Sequence, residues 1–384
     1  MATFVLAPDS FKESMTAEQA CQAMQRGILQ IFPDARCIAV PMADGGEGTV
    51  DALLHSLDGQ RISCTVTGPL AIQQVETYFA VVDQGQTAVI EMAKANGIHL
   101  LAGFQRNPML TSTYGTGEMI RNALDLGVKK IIIGLGGSVT NDGGAGMAQA
   151  LGVRFLNTAG ESIQVCGGNL DQIYRIDLSQ LDVRLKNTEI LIASDVNNPL
   201  CGPNGASVIF GPQKGATPEI VQRLDRNLRH LADLVEEHFG ISVRDISGAG
   251  AAGGLGFGLM AFAGAKLQSG VELIIQQSRL AEKIAQADYV LTGEGKIDSQ
   301  TSLGKTPFGV AQVAKRFNKP VIAFAGLVGE GIESLYEEGF SQIVGINPPG
   351  CSLEEALKNA EQNLEQACAR VMKEIKTKLE QQNR

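Results

Sequence analysis

Short apolar runs that indicate buried strands alternate along this chain with amphipathic patterns that indicate helices. Residues 4–7 and 37–40 are the first two such runs, and a helical pattern follows each of them. Thr16 and Gln19 stand three apart before the first helix, which predicts a capping box at its start. The apolar face of that helix is formed by Ala20, Met24, Ile28 and Ile31. The first sixty residues therefore predict a β-α-β-α unit, as at the start of a parallel sheet.

The same alternation returns toward the C-terminus. Strands are predicted at residues 289–292, 321–325 and 343–346, and a long loop is predicted from residue 293 to 305. A long helix is predicted from Leu353 onward. Its apolar stripe consists of Leu353, Leu357, Ala360, Leu364, Ala367 and Val371. The stripe predicts packing on the chain's own sheet, and a coiled-coil homodimer is the alternative.

The middle of the chain has a different pattern. Extended segments at residues 77–82 and 87–92 lie close together, as in antiparallel or mixed sheet. We predict an α/β fold in which a doubly wound, flavodoxin-like parallel-sheet domain, residues 1–63 and 288–384, is interrupted by a second α/β domain, residues 64–287. A division near residue 150 fits the length equally well.

Composition excludes several classes of protein. A net charge of −9 and an isoelectric point near 5.1 leave no wide basic surface for nucleic acid. The seven cysteines are scattered without metal-ligand spacing, as in reduced proteins of the cytosol. The N-terminus lacks the pattern of a signal peptide, and the apolar segment at residues 247–265 is too rich in glycine for a membrane span. A cytoplasmic protein without a membrane partner is expected, and a periplasmic binding protein is disfavoured.

Six loops that follow predicted strands combine glycine with carboxylate, hydroxyl, amide or ammonium groups. They span residues 7–14, 43–49, 134–144, 194–200, 210–215 and 292–299. In open α/β sheets, ligands bind beyond the carboxyl ends of the strands. This mixture suits phosphoryl transfer, because glycines expose backbone N–H groups, lysines neutralise phosphates, and carboxylates bind Mg²⁺ or accept a proton.

Two glycine motifs of nucleotide-binding proteins, the P-loop and G-x-G-x-x-G, are only weakly indicated by this sequence. Gly304, Lys305 and Thr306 end like a phosphate-binding P-loop, but Ser299 occupies the position of its first glycine. Residues 248–253 match G-x-G-x-x-G, but residues 241–246 before them make a poor central strand. A dinucleotide-binding site is therefore only an alternative.

Seven extended motifs resemble, in order, the signatures of the type-1 glycerate kinase family. They are APDSFKES, PMADGGEGTV, GLGGSVTNDGGAGM, SDVNNPLCGPNGAS, FGPQKGA, GAGAAGGLGFGLMAF and TGEGKIDSQT. The resemblance spans about residues 4–330 and implies ATP- and Mg²⁺-dependent phosphorylation of D-glycerate in a cleft between two domains. It favours the 2-hydroxyl as acceptor. Phosphorylation of the 3-hydroxyl and a nicotinamide-dependent hydroxy-acid dehydrogenase are the alternatives.

Asp195 is the predicted general base, because it ends an apolar strand and amides follow it. Asp44 and Asp142 are the alternatives, since their glycine neighbours suit phosphate or Mg²⁺ sites better. Lys12 and Lys214 are predicted to bind the phosphates or the glycerate carboxylate.

Further loop residues are predicted to contact the ligands or the metal. Glu294 and Asp298, four apart in a loop that contains glycine, are compatible with Mg²⁺ coordination and equally with a simple surface loop. The predicted substrate-binding or phosphate-binding residues are Asp9, Ser10, Asp44, Gly45, Gly46, Gly136, Gly137, Ser138, Thr140, Asn141, Asp142, Asn197 and Asn198.

Overall fold

The structure is a computed structural model that describes residues 2–382. The strands are β1 (Thr3–Leu6), β2 (Arg36–Ala39), β3 (Gly59–Thr67), β4 (Gln74–Val82), β5 (Thr87–Glu91), β6 (Lys130–Gly134), β7 (Arg154–Leu156), β8 (Arg175–Asp177), β9 (Glu189–Ala193), β10 (Lys266–Gln268), β11 (Tyr289–Ile297), β12 (Val321–Val328) and β13 (Phe340–Gly345).

The α-helices alternate with most of these strands. They are α1 (Ala17–Leu29), α2 (Thr49–Ser56), α3 (Ala93–Asn96), α4 (Tyr114–Asp125), α5 (Ala145–Ala150), α6 (Ala206–Phe210), α7 (Pro218–Phe239), α8 (Ala251–Ala263), α9 (Gly270–Gln277), α10 (Leu280–Ala285), α11 (Thr306–Arg316), α12 (Glu333–Glu337), α13 (Leu353–Lys358) and α14 (Ala360–Gln382). The capping box predicted at Thr16 and Gln19 is confirmed at the start of α1.

The first compact unit comprises Met1–Asp44, Asp51–Leu57 and Val271–Arg384. Its strands form a parallel sheet in the order β13-β12-β11-β1-β2. Numbered within the unit, this order is 2-1-3-4-5, the doubly wound order of flavodoxin-like sheets. The topological switch point lies between β1 and β11, so their carboxyl ends are where a ligand site is expected in this unit.

Helix α14 packs on α1 in this unit. Leu364, Cys368 and Met372 are fully buried in the same apolar cluster as Met24 and Ile28. The apolar face of α14 is therefore covered within the chain, and the same cluster includes the strand residues Phe4 and Phe324, in agreement with the predicted packing on the chain's own sheet. The predicted continuous helix from Leu353 is wrong in one respect, because α13 ends at Lys358 and Asn359 separates it from α14.

The second compact unit comprises Gly45–Val50 and Asp58–Gly270. Its main sheet has the order β10-β9-β6-β5-β4-β3, and β7 pairs with β8 in a separate ribbon. Strands β5, β6, β9 and β10 are parallel, whereas β4 is antiparallel to both β3 and β5. The mixed sheet predicted around residues 77–92 is therefore confirmed.

Some predicted boundaries differ from the structure. Strand β11 continues to Ile297, so the predicted loop that begins at residue 293 is wrong in its first part. Pairing with β12 extends as far as Ile297, which keeps the glycine-containing segment in the sheet. The units change at residues 44/45, 50/51, 57/58 and 270/271, whereas the sequence suggested two changes, at 63/64 and 287/288. Among residues 2–382, no helix is both long and apolar enough to span a membrane.

Candidate active site

Three carboxylates influence one another at the carboxyl edge of the first unit's sheet. Asp9 follows β1, Asp44 follows β2, and Glu294 lies in the carboxyl half of β11. The Asp9 carboxylate accepts hydrogen bonds from its neighbour's amide, Ser10 N–H at 2.6 Å, and from the Thr306 hydroxyl at the start of α11. We call Asp9, Asp44 and Glu294 the acidic group.

The charged forms of Asp9 and Glu294 are disfavoured by burial and, to a smaller extent, by neighbouring carboxylates. Burial raises the pKa of the Asp9 carboxyl to about 7, and the nearby Asp44 and Glu294 carboxylates act in the same direction. Burial likewise raises the pKa of Glu294 to about 7, although Lys305, whose ammonium lies 3.6 Å away, opposes the shift. A bound cation would favour the charged forms.

Glu294 and Asp298, the predicted metal ligands, form ion pairs with different lysines. Asp298 forms an ion pair with Lys296 at 2.7 Å and accepts a hydrogen bond from Gln300 N–H, so it caps a short 3₁₀ helix. The pKa of Asp298 is lowered, chiefly by the hydrogen bond from Lys296. Lys12 is exposed in the loop after β1.

Lys214 is a buried cation of the second unit. It lies in a 3₁₀ turn, Pro212–Lys214, and is only 1% exposed. Its ammonium donates hydrogen bonds to Ser138 Oγ at 2.8 Å and to the Thr140 carbonyl oxygen at 2.7 Å. Burial lowers the pKa of Lys214 to about 7, and the Asp142 carboxylate opposes that shift. A buried ammonium fixed in this way can interact strongly with phosphate oxygens.

Asp142 holds the glycine-rich loop in place. Its carboxylate accepts hydrogen bonds from Thr113 N–H at 2.7 Å, from Thr113 Oγ1, and from Gly144 and Gly146 N–H at 3.1 and 3.2 Å. These bonds occupy both oxygens of a fully buried group. Burial raises the pKa of Asp142 in spite of them. This arrangement favours a structural role over the predicted contact with substrate.

Several predicted phosphate-binding glycines lie against one another. A Cβ added at Gly134 would come within 2.4 Å of the Gly45 carbonyl oxygen, and one at Gly136 within 2.5 Å of Gly46 Cα. Gly137 has a φ of 76°, which favours glycine. These glycines therefore permit the loops at residues 43–49 and 134–144 to approach closely. This packing role is separate from any contact with a ligand.

The loop after β9 is tied to the glycine-rich segment before α8. Asp195 is exposed and accepts a hydrogen bond from Gly270 N–H at 3.1 Å. The Asn197 side chain accepts one from Ser247, and the Asn198 carbonyl oxygen accepts one from Gly250 N–H at 2.9 Å. Asn197 and Asn198 thus support the loops, and Asp195 lies beyond the carboxyl end of its strand.

The G-x-G-x-x-G segment at residues 248–253 and the P-loop-like segment at residues 304–306 lack the secondary structure that nucleotide-binding motifs need on either side. Residues 241–246 form no strand, and Gly253 lies where a Cβ would come within 2.0 Å of the Thr140 carbonyl oxygen. That glycine permits close packing against the glycine-rich loop that contains Thr140 and Asn141. A 3₁₀ helix, Ser299–Leu303, precedes Gly304 where a P-loop would need an extended glycine turn.

Thr113 and Ser207 lie beside predicted site residues but were not themselves predicted from the sequence. Thr113 binds Asp142, and Ser207 Oγ accepts a hydrogen bond from the Asn141 side chain at 2.9 Å. The segment TSTYGTGE, with hydroxyl residues directly before a helix, was a signal for Thr113. Ser207 lies on a helix face and offered no such signal.

The fold and these loops define a class: α/β proteins whose polar loops lie at the carboxyl edges of parallel strands, where ligands bind. A sequence model of the glycerate kinase family matches residues 4–376. The chain belongs to the glycerate kinase family.

Similar proteins cover nearly the whole chain. A protein named glycerate kinase from Halalkalibacterium halodurans is 50% identical over 371 residues, 97% of each chain. One named glycerate 2-kinase from Escherichia coli K12 is 46% identical over 360 residues, 94% of each chain. A crystal structure assigned as a glycerate kinase 2 from Salmonella typhimurium LT2 is 44% identical, matches with a TM-score of 0.86, and covers 99% of both chains.

Proposed function

We propose that this protein transfers the γ-phosphoryl group of ATP to the 2-hydroxyl of D-glycerate, which gives 2-phosphoglycerate and ADP. The observation that carries the proposal is the family match over residues 4–376, together with a relative named glycerate 2-kinase that aligns over 94% of this chain. The residues beside the sheet edges supply the charges that phosphoryl transfer needs.

Lys214 is the proposed phosphate-binding cation. Two of its three N–H donors bond Ser138 and Thr140, which fixes the position of the ammonium group. Phosphate oxygens bound beside Lys214 would favour the charged form that burial alone disfavours. Lys12, which is exposed on a loop, is the second proposed cation.

Mg²⁺ fits the acidic group in its donor chemistry. Among residues 2–382, no three His, Cys, Asp or Glu side chains form a ready-made metal cage. Mg²⁺ commonly takes one or two carboxylates together with substrate phosphates, so a complete protein cage is not required. One or two of Asp9, Asp44 and Glu294 would then hold the ion together with the phosphates, whereas Asp298 forms an ion pair with Lys296. The ion would neutralise charge on the phosphate oxygens.

Asp195 is the proposed general base for the glycerate hydroxyl. It is exposed beyond the carboxyl end of β9, whereas Asp142 is buried with both oxygens hydrogen-bonded. Asp195→Asn keeps the size and removes the basicity, so we expect kcat to fall by roughly 10²–10⁴-fold. Nucleotide affinity should change little. Steady-state kinetics and ADP titration would measure both.

Asp142→Asn is the matched comparison for Asp195→Asn. It should reduce thermal stability, because the carboxylate organises a buried loop. A loss in kcat of less than tenfold for Asp195→Asn, with chemistry shown to limit the rate, would transfer the base role to Asp44.

The reaction itself is tested by mixing ATP, Mg²⁺ and D-glycerate with the purified protein. ADP formation should depend on D-glycerate, and ³¹P and ¹³C NMR should show phosphate on carbon 2. Phosphate on carbon 3 would replace the 2-kinase by a 3-kinase. An absorbance change of a nicotinamide cofactor without ATP would support the dehydrogenase instead.

A further inference from the structure

Glu91 is a buried carboxylate of the second unit to which no role has been given above. It is the last residue of β5 and is only 3% exposed. Its partner in the register of β5 with β6 is Gly134, where the glycine-rich loop begins. Glutamate side chains are rarely buried to this extent unless they are paired. Glu91 therefore lies at the carboxyl edge of parallel strands, where ligands are expected.

The Glu91 carboxylate holds the start of helix α2. Its Oε1 atom accepts a hydrogen bond from Val50 N–H at 2.8 Å, and both residues are buried. Val50 is the second residue of α2, so its amide belongs to the first turn, where N–H groups have no partner inside the helix. The bond therefore fixes the end of the segment at residues 45–49, which leads into α2.

Lys94 compensates the charge of Glu91. Its ammonium lies 3.4 Å from Glu91 Oε2, donates a hydrogen bond to the Tyr78 hydroxyl at 3.0 Å, and lies 4.3 Å from the centre of the Tyr78 ring. A buried ion pair gives little net stability compared with apolar side chains of similar size, because its charges lose water. The acidic side chain is therefore better explained by the segment that it holds than by stability alone.

Residues 45–49 lie against two loops that carry proposed site residues. Gly136 N–H donates to the Gly45 carbonyl oxygen at 3.4 Å. A Cβ added at Gly45 would come within 2.5 Å of the Ala193 carbonyl oxygen, and Ala193 ends β9 two residues before Asp195. Gly45 therefore packs on the ends of both β6 and β9.

The other end of this segment is closed before it reaches α2. The Thr49 hydroxyl donates to the Gly46 carbonyl oxygen at 2.8 Å, and Thr49 is fully buried. Val50 follows Thr49 directly and is held by Glu91. The bond to Glu91 thus anchors one end of a segment whose other end packs on the strands of the site.

We propose that Glu91 is a positioning residue for phosphoryl transfer. It fixes Gly45 and Gly46 beside the glycine-rich loop after β6, so that the two segments together bind the phosphate groups. This inference rests on the kinase activity proposed above. Glu91 acts through Val50 and does not itself contact the substrates. Because a displacement of about 1 Å at a reacting group can cost about 10²-fold in rate, loss of the anchor affects turnover.

The kinetic test removes the carboxylate and then restores its acceptor. Glu91→Ala should lower kcat about 10- to 100-fold and leave KM for ATP and for D-glycerate within about threefold. Glu91→Gln should keep kcat within about fivefold, because its amide oxygen can accept the same hydrogen bond from Val50 N–H. Glu91→Asp, which keeps the charge but is one methylene too short for this bond, should resemble Glu91→Ala.

Glu118→Ala is the matched control within the same unit. Glu118 also accepts one backbone hydrogen bond, from Thr67 N–H at 2.6 Å, and also has a cation three residues later, Arg121 at 3.8 Å. Thr67 ends the edge strand β3 and belongs to no proposed site. Glu118→Ala should therefore keep kcat within about twofold, while urea denaturation shows how far each variant is destabilised.

Hydrogen–deuterium exchange tests the anchor without turnover. The peptide that covers residues 45–53 should exchange faster in Glu91→Ala than in the original protein, Glu91→Gln or Glu118→Ala, because the Val50 amide loses its acceptor. MgATP without D-glycerate should slow exchange of this peptide in the original protein and in Glu91→Gln, and much less in Glu91→Ala.

The outcomes separate this inference from the proposed function. A kcat of Glu91→Ala within threefold of the original value, or an equal loss in Glu118→Ala, would overturn the positioning role and leave the kinase activity in place. Equal protection of residues 45–53 by MgATP in Glu91→Ala and the original protein would also overturn it. Protection that depends on Glu91, in a protein that forms no ADP from glycerate, would support the role and overturn the glycerate kinase activity.

Discussion

Lys214 and Asp142 show how burial decides the behaviour of single residues in this protein. The ammonium and the carboxylate are both fully buried in the second unit, and each shifts away from its charged form because water is excluded. Asp142 compensates through hydrogen bonds from Thr113, Gly144 and Gly146, whereas Lys214 has two acceptors. Lys214 therefore lowers the stability of the unliganded fold while it prepares a site for an anion.

This reasoning predicts how stability depends on pH. The pKa of Lys214 is about 7 in the folded protein and 10.5 for an ordinary lysine, so between these values the unfolded chain binds more protons than the folded one. The free energy of unfolding should therefore rise with pH across this window, by up to about 1.4 kcal/mol per pH unit from this group. Below pH 7, Lys214 is protonated in both states and contributes no slope. Chemical denaturation at pH 7, 8 and 9 measures the effect.

Lys214→Met provides the comparison for that measurement. Its free energy of unfolding should lack the upward slope contributed by Lys214, while the exposed control Lys129→Met should keep the slope of the original protein. Identical slopes for Lys214→Met and the original protein would show that Lys214 keeps its charge in the fold.

At the scale of elements, α14 contributes mainly to the core of its own unit. Gly27 on α1 lies where a Cβ would come within 2.6 Å of the Glu365 carbonyl oxygen, so the two helices approach closely. Arg26 adds exposed ion pairs to Glu361 and Glu365, which contribute little by themselves. Apolar burial is the main source of this contact.

The helix contact predicts a large effect at Leu364. This side chain is fully buried, so Leu364→Ala should lower the free energy of unfolding by about 2–5 kcal/mol through lost apolar contacts and a cavity. Leu353→Ala is the matched control at the other end of the predicted stripe. Leu353 is 74% exposed, so its replacement should change stability by less than about 0.5 kcal/mol. Equal effects of the two variants, measured by urea denaturation, would contradict the packing role of α14.

At the scale of the whole molecule, the two units differ in how their strands are distributed along the chain. The second unit has its own buried apolar clusters and its own sheet within residues 45–270. The first unit places β1 between β2 and β11, so its sheet needs segments from both ends of the chain.

The connectivity predicts which fragments fold. A fragment of residues 45–270 should unfold cooperatively in urea and show a mixed α/β circular dichroism spectrum. A fragment of residues 271–384 should not, because it lacks β1, and lacks α1, which covers α14. Cooperative unfolding of the second fragment, or its absence in the first, would contradict this division of the chain.

The sequence by itself determined the features that local patterns encode. Apolar runs, helical periodicity and capping placed β1, α1, β4, β5 and β9 correctly within a few residues, because buried strands are continuous apolar runs and the buried face of a helix repeats every three to four residues. Motif order over some 330 residues indicated the family that the comparisons show.

Only the tertiary structure decided which polar residues share a site. Glu294 and Asp298 are four apart in sequence, but β11 extends through the segment between them, and Asp298 forms an ion pair with Lys296 whereas Glu294 forms one with Lys305. Asp9 and Glu294 are distant in sequence, yet parallel pairing of β1 with β11 brings them to one edge. Burial of Lys214 and the unpaired hydroxyl of Ser112 likewise depend on packing between segments that no local pattern connects. Local sequence specifies local geometry, whereas charge environment is a property of the assembled fold.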